Sequence, residues 1–388
     1  MSEPGEKRNE KQTVLVVDDA PANIQVVNSI LKDTYKVRIA TNGMKALELV
    51  RTTPRPDLIL LDVMMPGMDG YQVCSQLKTD PGTRDIPVIF LTGQTETSDE
   101  TRGFEVGAVD YIHKPFSPAV VQARVQTHLV LRNIREQLAQ QLLTIQKELE
   151  TARQIQLSIL PREIPKIAGL DIAARYVPMT AVAGDFYDFI VLDDKHVGVL
   201  VADVSGHGMP AALIASMLKI AFAAQAANAA NPAAVLLGLN LALCGKFDHH
   251  YVTAAYVYFD MEKRVFRYAG AGHPPLICWT SGSVGATDVL ENGMFLGKFD
   301  FAAYTAVERP LSGGDWLLMY TDGIPETASP ADVQFGDELF RSFLIKQPWA
   351  SADQLSDRLL NEVTLFSARG PGEDLDDDIT MVAIHVTE

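Results

Sequence analysis

The sequence predicts two units joined by one long helix: a doubly wound α/β unit built on a five-stranded parallel sheet, then an α+β unit of two packed β-sheets flanked by helices. Three observations carry that expectation. Short β-branched runs alternate with helical stretches through the first third of the chain, residues 131–160 contain neither Gly nor Pro, and beyond Pro161 and Pro165 alternating strands are broken by glycines. A length of 388 residues, of which 47% are hydrophobic, suffices for two cores and a connector.

The first stretch, residues 1–11, is polar, lacks the apolar core of a signal peptide and reads as a disordered tail. The first unit is expected over 12–130. It runs TVLVV, a helix near 21–32, KVRIA, a helix near 43–51, DLILLD, a helix near 70–79, IPVIFLT, a helix near 97–107, VDYIH, and a last helix entered after Phe116. Strands separated by helices imply a parallel sheet whose function sits at the carboxyl ends of the strands. The connector is expected over 131–165. Leu131, Leu138, Ile145, Ala152 and Ile159 recur every seven residues, with Ile134, Leu142 and Leu149 at the intervening steps. A lone helix cannot bury that stripe, so it predicts a coiled-coil homodimer, although Gln141 and Glu148 interrupt the strict heptad. In the second unit, 166–388, largely antiparallel strands are expected near 171–177, 186–192, 196–205, 251–259 and 264–269, with helices at 209–228 and 232–246.

Charge and cysteine usage narrow the function classes. A formal net charge of -16 argues against nucleic acid or an anionic membrane as the main partner. Cys74, Cys244 and Cys278 form no CxxC pair, which fits a reducing cytoplasm and not a disulfide framework. The Ala-rich stretch from Ala211 to Ala230 is interrupted by Lys219 and Gln225 and reads as a buried helix, not a membrane span.

In the first unit the informative side chains lie at strand ends: Asp18 and Asp19 after the first, Asp62 at the third, Thr92 at the fourth, and Lys114, followed by Pro115, after the fifth. Converging carboxylates repel unless a divalent cation joins them, and oxygen ligands of this kind suit Mg²⁺. A metal beside Asp62 can neutralise an incoming phosphoryl group, with Thr92 and Lys114 supplying a hydroxyl and a positive charge for its oxygens. The segments VVDD, LLDVMMPGMDG, FLTG and YIHKPF resemble the receiver domain of two-component response regulators. That resemblance implies Asp62 as phospho-acceptor, Asp18, Asp19, Asp62 and the Met64 carbonyl as Mg²⁺ ligands, and Thr92 and Tyr111 as switch residues. It also implies a sensor histidine kinase as partner.

In the second unit, acids again recur beside glycines at strand ends: Asp185 in AGDFYD, Asp203 in DVSGHG, Asp322 in LLMYTDG, and Asp377 and Asp378 in DDDIT. Carboxylates with almost no His or Cys among them select hard cations such as Mg²⁺ or Mn²⁺ over zinc. Two such cations can acidify a shared water and aim it at phosphorus, so the expected reaction is hydrolysis of a phosphate ester. His207 is a candidate proton donor to the leaving group. His273 reads as architectural, His249 and His250 as solvated, and Asp188 and Asp193 as turn residues. GDFYD, DVSGHGMPAAL, AGHPPL, FLG, LLMYTDGIPE and DDDITMVAIHV resemble the metal-dependent PPM serine/threonine phosphatases of the stage II sporulation protein E and sigma-regulator type. The resemblance implies Asp185, Asp203, Asp322 and Asp377, with the Val204 carbonyl, as the ligands of two Mn²⁺ or Mg²⁺ ions. Asp378 is the alternative to Asp377, and Arg175 a weak candidate for phosphate binding.

Together these readings describe a cytoplasmic response regulator whose output is protein dephosphorylation. Its implied substrate is a phosphoserine or phosphothreonine protein, by family likeness an anti-sigma-factor antagonist. Two alternatives remain at this level: a pseudophosphatase adaptor that binds a sigma factor without catalysis, and a receiver that serves only to dimerise.

Overall fold

The computed structural model describes residues 11–93, 102–280, 285–346, 348–368 and 376–387, and the chain divides into two compact units, Met1–Thr144 and Ile145–Glu388. Residues 1–10, and residues 97–101 of the helix expected near 97–107, lie outside the described residues; in the rest of that span 102–105 are helical.

The first unit follows the expected order. Strands β1 (Thr13–Val17), β2 (Lys36–Ala40), β3 (Leu58–Asp62), β4 (Val88–Thr92) and β5 (Asp110–His113) form one parallel sheet in the order β2-β1-β3-β4-β5. Helices α1 (Pro21–Leu31), α2 (Gly43–Arg51) and α3 (Gly70–Thr79) fill the crossovers. β1, β3 and β4 are buried along their whole length, as their continuous apolar runs require of a sheet covered on both faces. Asp69 and Gln72 close a reciprocal capping box that starts α3 immediately after the loop following Asp62.

Helix α4 (Pro118–Ile159) differs from the expected division between a receiver helix and a separate connector: it is one helix of 42 residues, uninterrupted at residue 130. No Gly or Pro occurs past its first residue to stop it. Val121, Val125 and Leu129 are buried against the sheet of the first unit. From Leu131 to Ile145 the stripe residues Leu131, Ile134, Leu138, Leu142 and Ile145 are all more than half exposed.

The second unit is a layered α-β-β-α arrangement. One sheet holds β7 (Phe186–Val191), β8 (His196–Val204), β9 (Val252–Asp260), β10 (Val265–Ala271), β13 (Asn292–Gly293) and β14 (Val307–Pro310); the other orders β12 (Thr287–Val289), β11 (Leu276–Thr280), β15 (Asp315–Tyr320), β16 (Ile379–Val386) and β6 (Leu170–Val177). Pairing is antiparallel except for β10 with β13. Val199, Val201, Leu317, Val382 and Ile384 interleave in one core between the sheets. Helices α5 (Met209–Ala223) and α6 (Pro232–Leu243) pack on the first sheet, and α8 (Gly336–Ile345) and α9 (Ala352–Ser367) on the second. The short α7 (Gly323–Glu326) follows β15. Helix α5 stops at Ala223, short of the expected 228, and 226–228 form a 3₁₀ turn instead. No helix among the described residues is long and apolar enough to cross a membrane.

Candidate active sites

In the first unit, β1 and β3 are neighbours and deliver Asp18 and Asp62 to the same sheet end. One carboxylate oxygen from each of Asp18, Asp19 and Asp62 lies within 4.8 Å of the others. Lys114 Nζ donates to Asp18 Oδ2 at 2.8 Å and to Asp62 Oδ2 at 2.9 Å. Asp18 also accepts from the Ala20 N–H and from Asn23 Nδ2. Burial pushes the Asp62 carboxyl up, with the Asp18 charge adding to it, while the hydrogen bond from Lys114 opposes the rise. Burial would lower Lys114, but its bonds to the two carboxylates outweigh that and raise it. Three carboxylates against one ammonium leave an excess of negative charge, so the donor set fits a divalent cation with oxygen ligands.

Thr92 is buried at the end of β4, and Tyr111 is buried in β5, its ring against Phe90 at 5.6 Å and Phe104 at 5.2 Å. Met64 is exposed just past Asp62.

The second site draws on both sheets of the second unit. In the first sheet Phe186 pairs with Ala202, so Asp185, just before β7, stands beside Asp203 near the end of β8. In the second sheet Tyr320 pairs with Met381, which brings Asp322 beside the Asp377–Asp378 pair that precedes β16. The acids form one electrostatic cluster. Burial and the charges of Asp322, Asp377, Asp378 and Glu326 push Asp203 up to about 7. Burial, then Asp377 and Glu326, push Asp322 up to about 6. Asp185 is raised well above the ordinary carboxylate range by burial and then by Asp203 and Asp378. Carboxyls raised for these reasons are the chemistry of a donor set that fits cations. Among the described residues only the first unit's triad brings three ligand atoms within 4.8 Å of one another, so this second cluster is the wider of the two.

The two C-terminal candidates differ in burial and in their bonds. Asp378 is buried, and its carboxylate accepts from the Met179 N–H and the Gly184 N–H, both at 2.7 Å. Asp377 is exposed and bonds through Oδ1 to the Asp378 N–H. A second clasp between the sheets is Thr321, whose hydroxyl donates to Asp185 Oδ2 at 2.8 Å. Gly184 is needed for close approach, because a Cβ there would stand 2.8 Å from the Val204 carbonyl oxygen.

Three sequence expectations are corrected. Asp188 is not a turn residue: it is buried within β7 and pairs with Lys219 at 2.8 Å. Arg175 is bound to Asp353 and Asp357 on α9, which gives it a packing role on β6 in place of phosphate binding. His250 is not simply solvated, since its Nδ1 bonds the Ser205 carbonyl at 2.7 Å and braces the glycine loop after Asp203. Asp193 does sit in a turn, accepting from Lys195 N. His207 is exposed on that glycine loop, and His273 is buried with Nδ1 at 2.8 Å from Thr253 Oγ1. The sequence reading missed three participants. They are Glu326, four residues past Asp322 in TDGIPE; Thr321; and Gln156 on α4, which is bonded to Ala183. Spacing alone could have found Glu326.

The fold and the two acid clusters define a class: a receiver unit joined through a long helix to a PPM-type, two-sheet unit. Residues 193–387 match the family model for stage II sporulation protein E (SpoIIE), and residues 14–126 match that for the response regulator receiver domain. The first match spans just over half of the 388 residues, and the chain belongs to the SpoIIE family.

Among curated relatives, phosphoserine phosphatase RsbU of Bacillus subtilis is 32% identical over 202 residues, 52% of this chain and 58% of that protein. A probable cyclic di-GMP phosphodiesterase of Vibrio cholerae is 46% identical over 129 residues, 33% of this chain and 29% of that protein. The chain thus spans less than two thirds of the length of either. The solved SiaA-PP2C domain of Pseudomonas aeruginosa superposes with a TM-score of 0.56 at 23% identity, over 64% of this chain and 98% of that one, which shows the shared fold.

Proposed function

We propose that the chain is a response regulator phosphorylated on Asp62 whose second unit is a metal-dependent protein serine/threonine phosphatase. The observation that carries this reading is the convergence of Asp185, Asp203, Asp322 and Asp377 from two sheets onto one end of the fold. Acids separated by almost two hundred residues are held beside each other at a cost in repulsion that bound cations would offset. Four carboxylates drawn from two sheets suit a pair of Mn²⁺ or Mg²⁺ ions.

The residues divide the work. Asp185, Asp203, Asp322 and Asp377, with the Val204 carbonyl, hold the cations, and Asp378 and Thr321 fix the loops that carry them. When bound, the cations supply Lewis acidity toward the phosphoryl oxygens and acidify water for in-line attack at phosphorus. His207, on the exposed loop after Asp203, donates a proton to the leaving serine or threonine oxygen. In the receiver, Asp18, Asp19, Asp62 and the Met64 carbonyl hold Mg²⁺, Asp62 takes the phosphoryl group from a histidine kinase, and Lys114 and Thr92 bind its oxygens. Thr92 and Tyr111 then carry the switch.

The substrate is a phosphoserine or phosphothreonine protein. Likeness to RsbU supports phosphoserine, and the family supports an anti-sigma-factor antagonist. The exposed stripe on α4 supports a homodimer through that helix.

The test is hydrolysis of p-nitrophenyl phosphate with Mn²⁺ by wild type, Asp203→Asn and Asp322→Asn. Turnover by wild type that drops at least about a hundredfold in either variant supports catalysis at this cluster. Equal rates in all three proteins would point to an adaptor without catalysis.

A further inference from the structure

The last turn of α4 is anchored by a polar side chain. Ile155 and Leu157 face outward, whereas Gln156 is only 6% exposed. Its Nε2 donates to the Ala183 carbonyl at 2.6 Å, and its Oε1 accepts the Ala183 N–H at 3.0 Å. One side-chain amide thus satisfies both polar groups of a single buried backbone residue, as a neighbouring strand would.

Residues 178–185 belong to no helix or strand, and the β7–β8 ladder reaches them only through the Val204 N–H, which donates to the Gly184 carbonyl at 3.3 Å. Besides that bond and the one from the Met179 N–H to Asp378, three successive residues next to β7 are each tied to a different element. Ala183 is held by Gln156, Gly184 N–H by Asp378, and the Asp185 carboxylate by Thr321. The first tie comes from the helix that begins on the receiver sheet.

The geometry points to Gln156 as a positioning residue for the cation site: the last turn of α4 holds the Asp185 loop in ligating position through this one amide, and displacement of that turn releases it. The inference rests on the reading of the acid cluster as a cation site. A helical register step turns a side chain by about 100° and moves it by about 1.5 Å, and either change breaks both bonds to Ala183. The pair is therefore made or lost as a unit, which gives movement of α4 a direct route to the position of one ligand. Gln156 touches neither substrate nor cation; it acts through the backbone ahead of Asp185.

The experiment titrates Mn²⁺ into the full chain by calorimetry, in an Asp19→Asn background that removes the receiver's cation site, and follows p-nitrophenyl phosphate hydrolysis against Mn²⁺ concentration. Gln156→Ala removes both bonds. Gln156→Glu keeps an acceptor for the Ala183 N–H but sets a carboxylate oxygen against its carbonyl. Gln154→Ala, which alters an exposed residue bonded to Glu150 on the same turn, is the control.

The expected result is an Mn²⁺ dissociation constant about 10–100-fold higher in Gln156→Ala, the range seen when groups supporting metal ligands are removed. The Mn²⁺ concentration for half-maximal turnover rises in step. Turnover at saturating Mn²⁺ stays within about threefold of the parent, because the ligands themselves are intact. Gln154→Ala matches the parent. If Gln156→Ala does not fold, the nearly isosteric Gln156→Glu decides by the same criterion. Mn²⁺ affinities within about twofold of the parent in the folded Gln156 variants overturn the inference. A parent that binds no more Mn²⁺ than Asp322→Asn overturns the cation site as well, and the two failures are thereby distinct.

Discussion

Asp377 and Asp378 are adjacent in sequence but differ in burial and in what they bond. Asp378 accepts from both the Met179 and Gly184 amides, so Asp378→Ala leaves two N–H groups without this acceptor. The expected loss is about 2–5 kcal/mol in urea unfolding of the second unit. Asp377→Ala, at an exposed position, is expected to leave that midpoint within about 0.5 kcal/mol while weakening Mn²⁺ binding by at least about tenfold in an Asp19→Asn background. The reverse pattern would exchange the two assignments. His273 gives a pH signature. Burial holds its pKa down to about 3, against an ordinary value of 6.5. Between those values the unfolded chain binds a proton that the folded chain does not, so stability rises with pH and is lost as pH falls below about 6.5. From pH 7 to pH 5 this residue is expected to cost about 2 kcal/mol. The measurement is that loss in wild type minus the same loss in His273→Gln, both metal-free; a difference near zero would contradict burial of the neutral ring. At this scale the sequence made the acids legible because Asp beside Gly at a strand end is a local pattern. It could not separate Asp377 from Asp378, or reveal Thr321, because each role depends on a partner far along the chain.

Helix α4 is the element on which the two units depend. Stripe residues Leu138 and Ile145 are 55% and 51% exposed, and seven residues apart they share one helix face. Replacing both by Glu is expected to convert a dimer to a monomer in sedimentation equilibrium without loss of helix signal, since like charges would then face each other across the seam. A chain that is monomeric before substitution would remove the coiled coil from the account. Among the other elements, the receiver strands were readable because a parallel sheet buried on both faces demands continuous apolar runs. The second unit was read less fully. Helices α8 and α9 were passed over even though Ser351 caps α9 by accepting from Gln354 N, a signal present in the sequence. Strands β12 to β14 are only two to four residues long, and the pairing of β11 with β12 and β15 is set by partners and not by pattern. The absence of a break at residue 130 follows from composition, since nothing there can end a helix.

At the scale of the whole chain, the proposal requires that chemistry at Asp62 alter chemistry at the distant aspartates. Treatment with a small phosphodonor such as acetyl phosphate is expected to change p-nitrophenyl phosphate turnover by at least about threefold, in either direction, and Asp62→Ala is expected to abolish that response. Identical rates with and without the donor would leave the receiver as a dimerisation module. The sequence by itself determined that there are two units, that a helix joins them, and which residues carry charge at strand ends. Those are local properties: side-chain period, turn residues, and the absence of helix breakers. Only the tertiary structure decided that Asp378 grips backbone while the charge of Asp377 acts on Asp203 and Asp322, that Glu326 joins them, and that Gln156 of the joining helix bonds Ala183 ahead of Asp185. The physical reason is that these assignments rest on hydrogen bonds and charges between residues as far as 199 positions apart, which a strand pattern does not encode and a packed pair of sheets does.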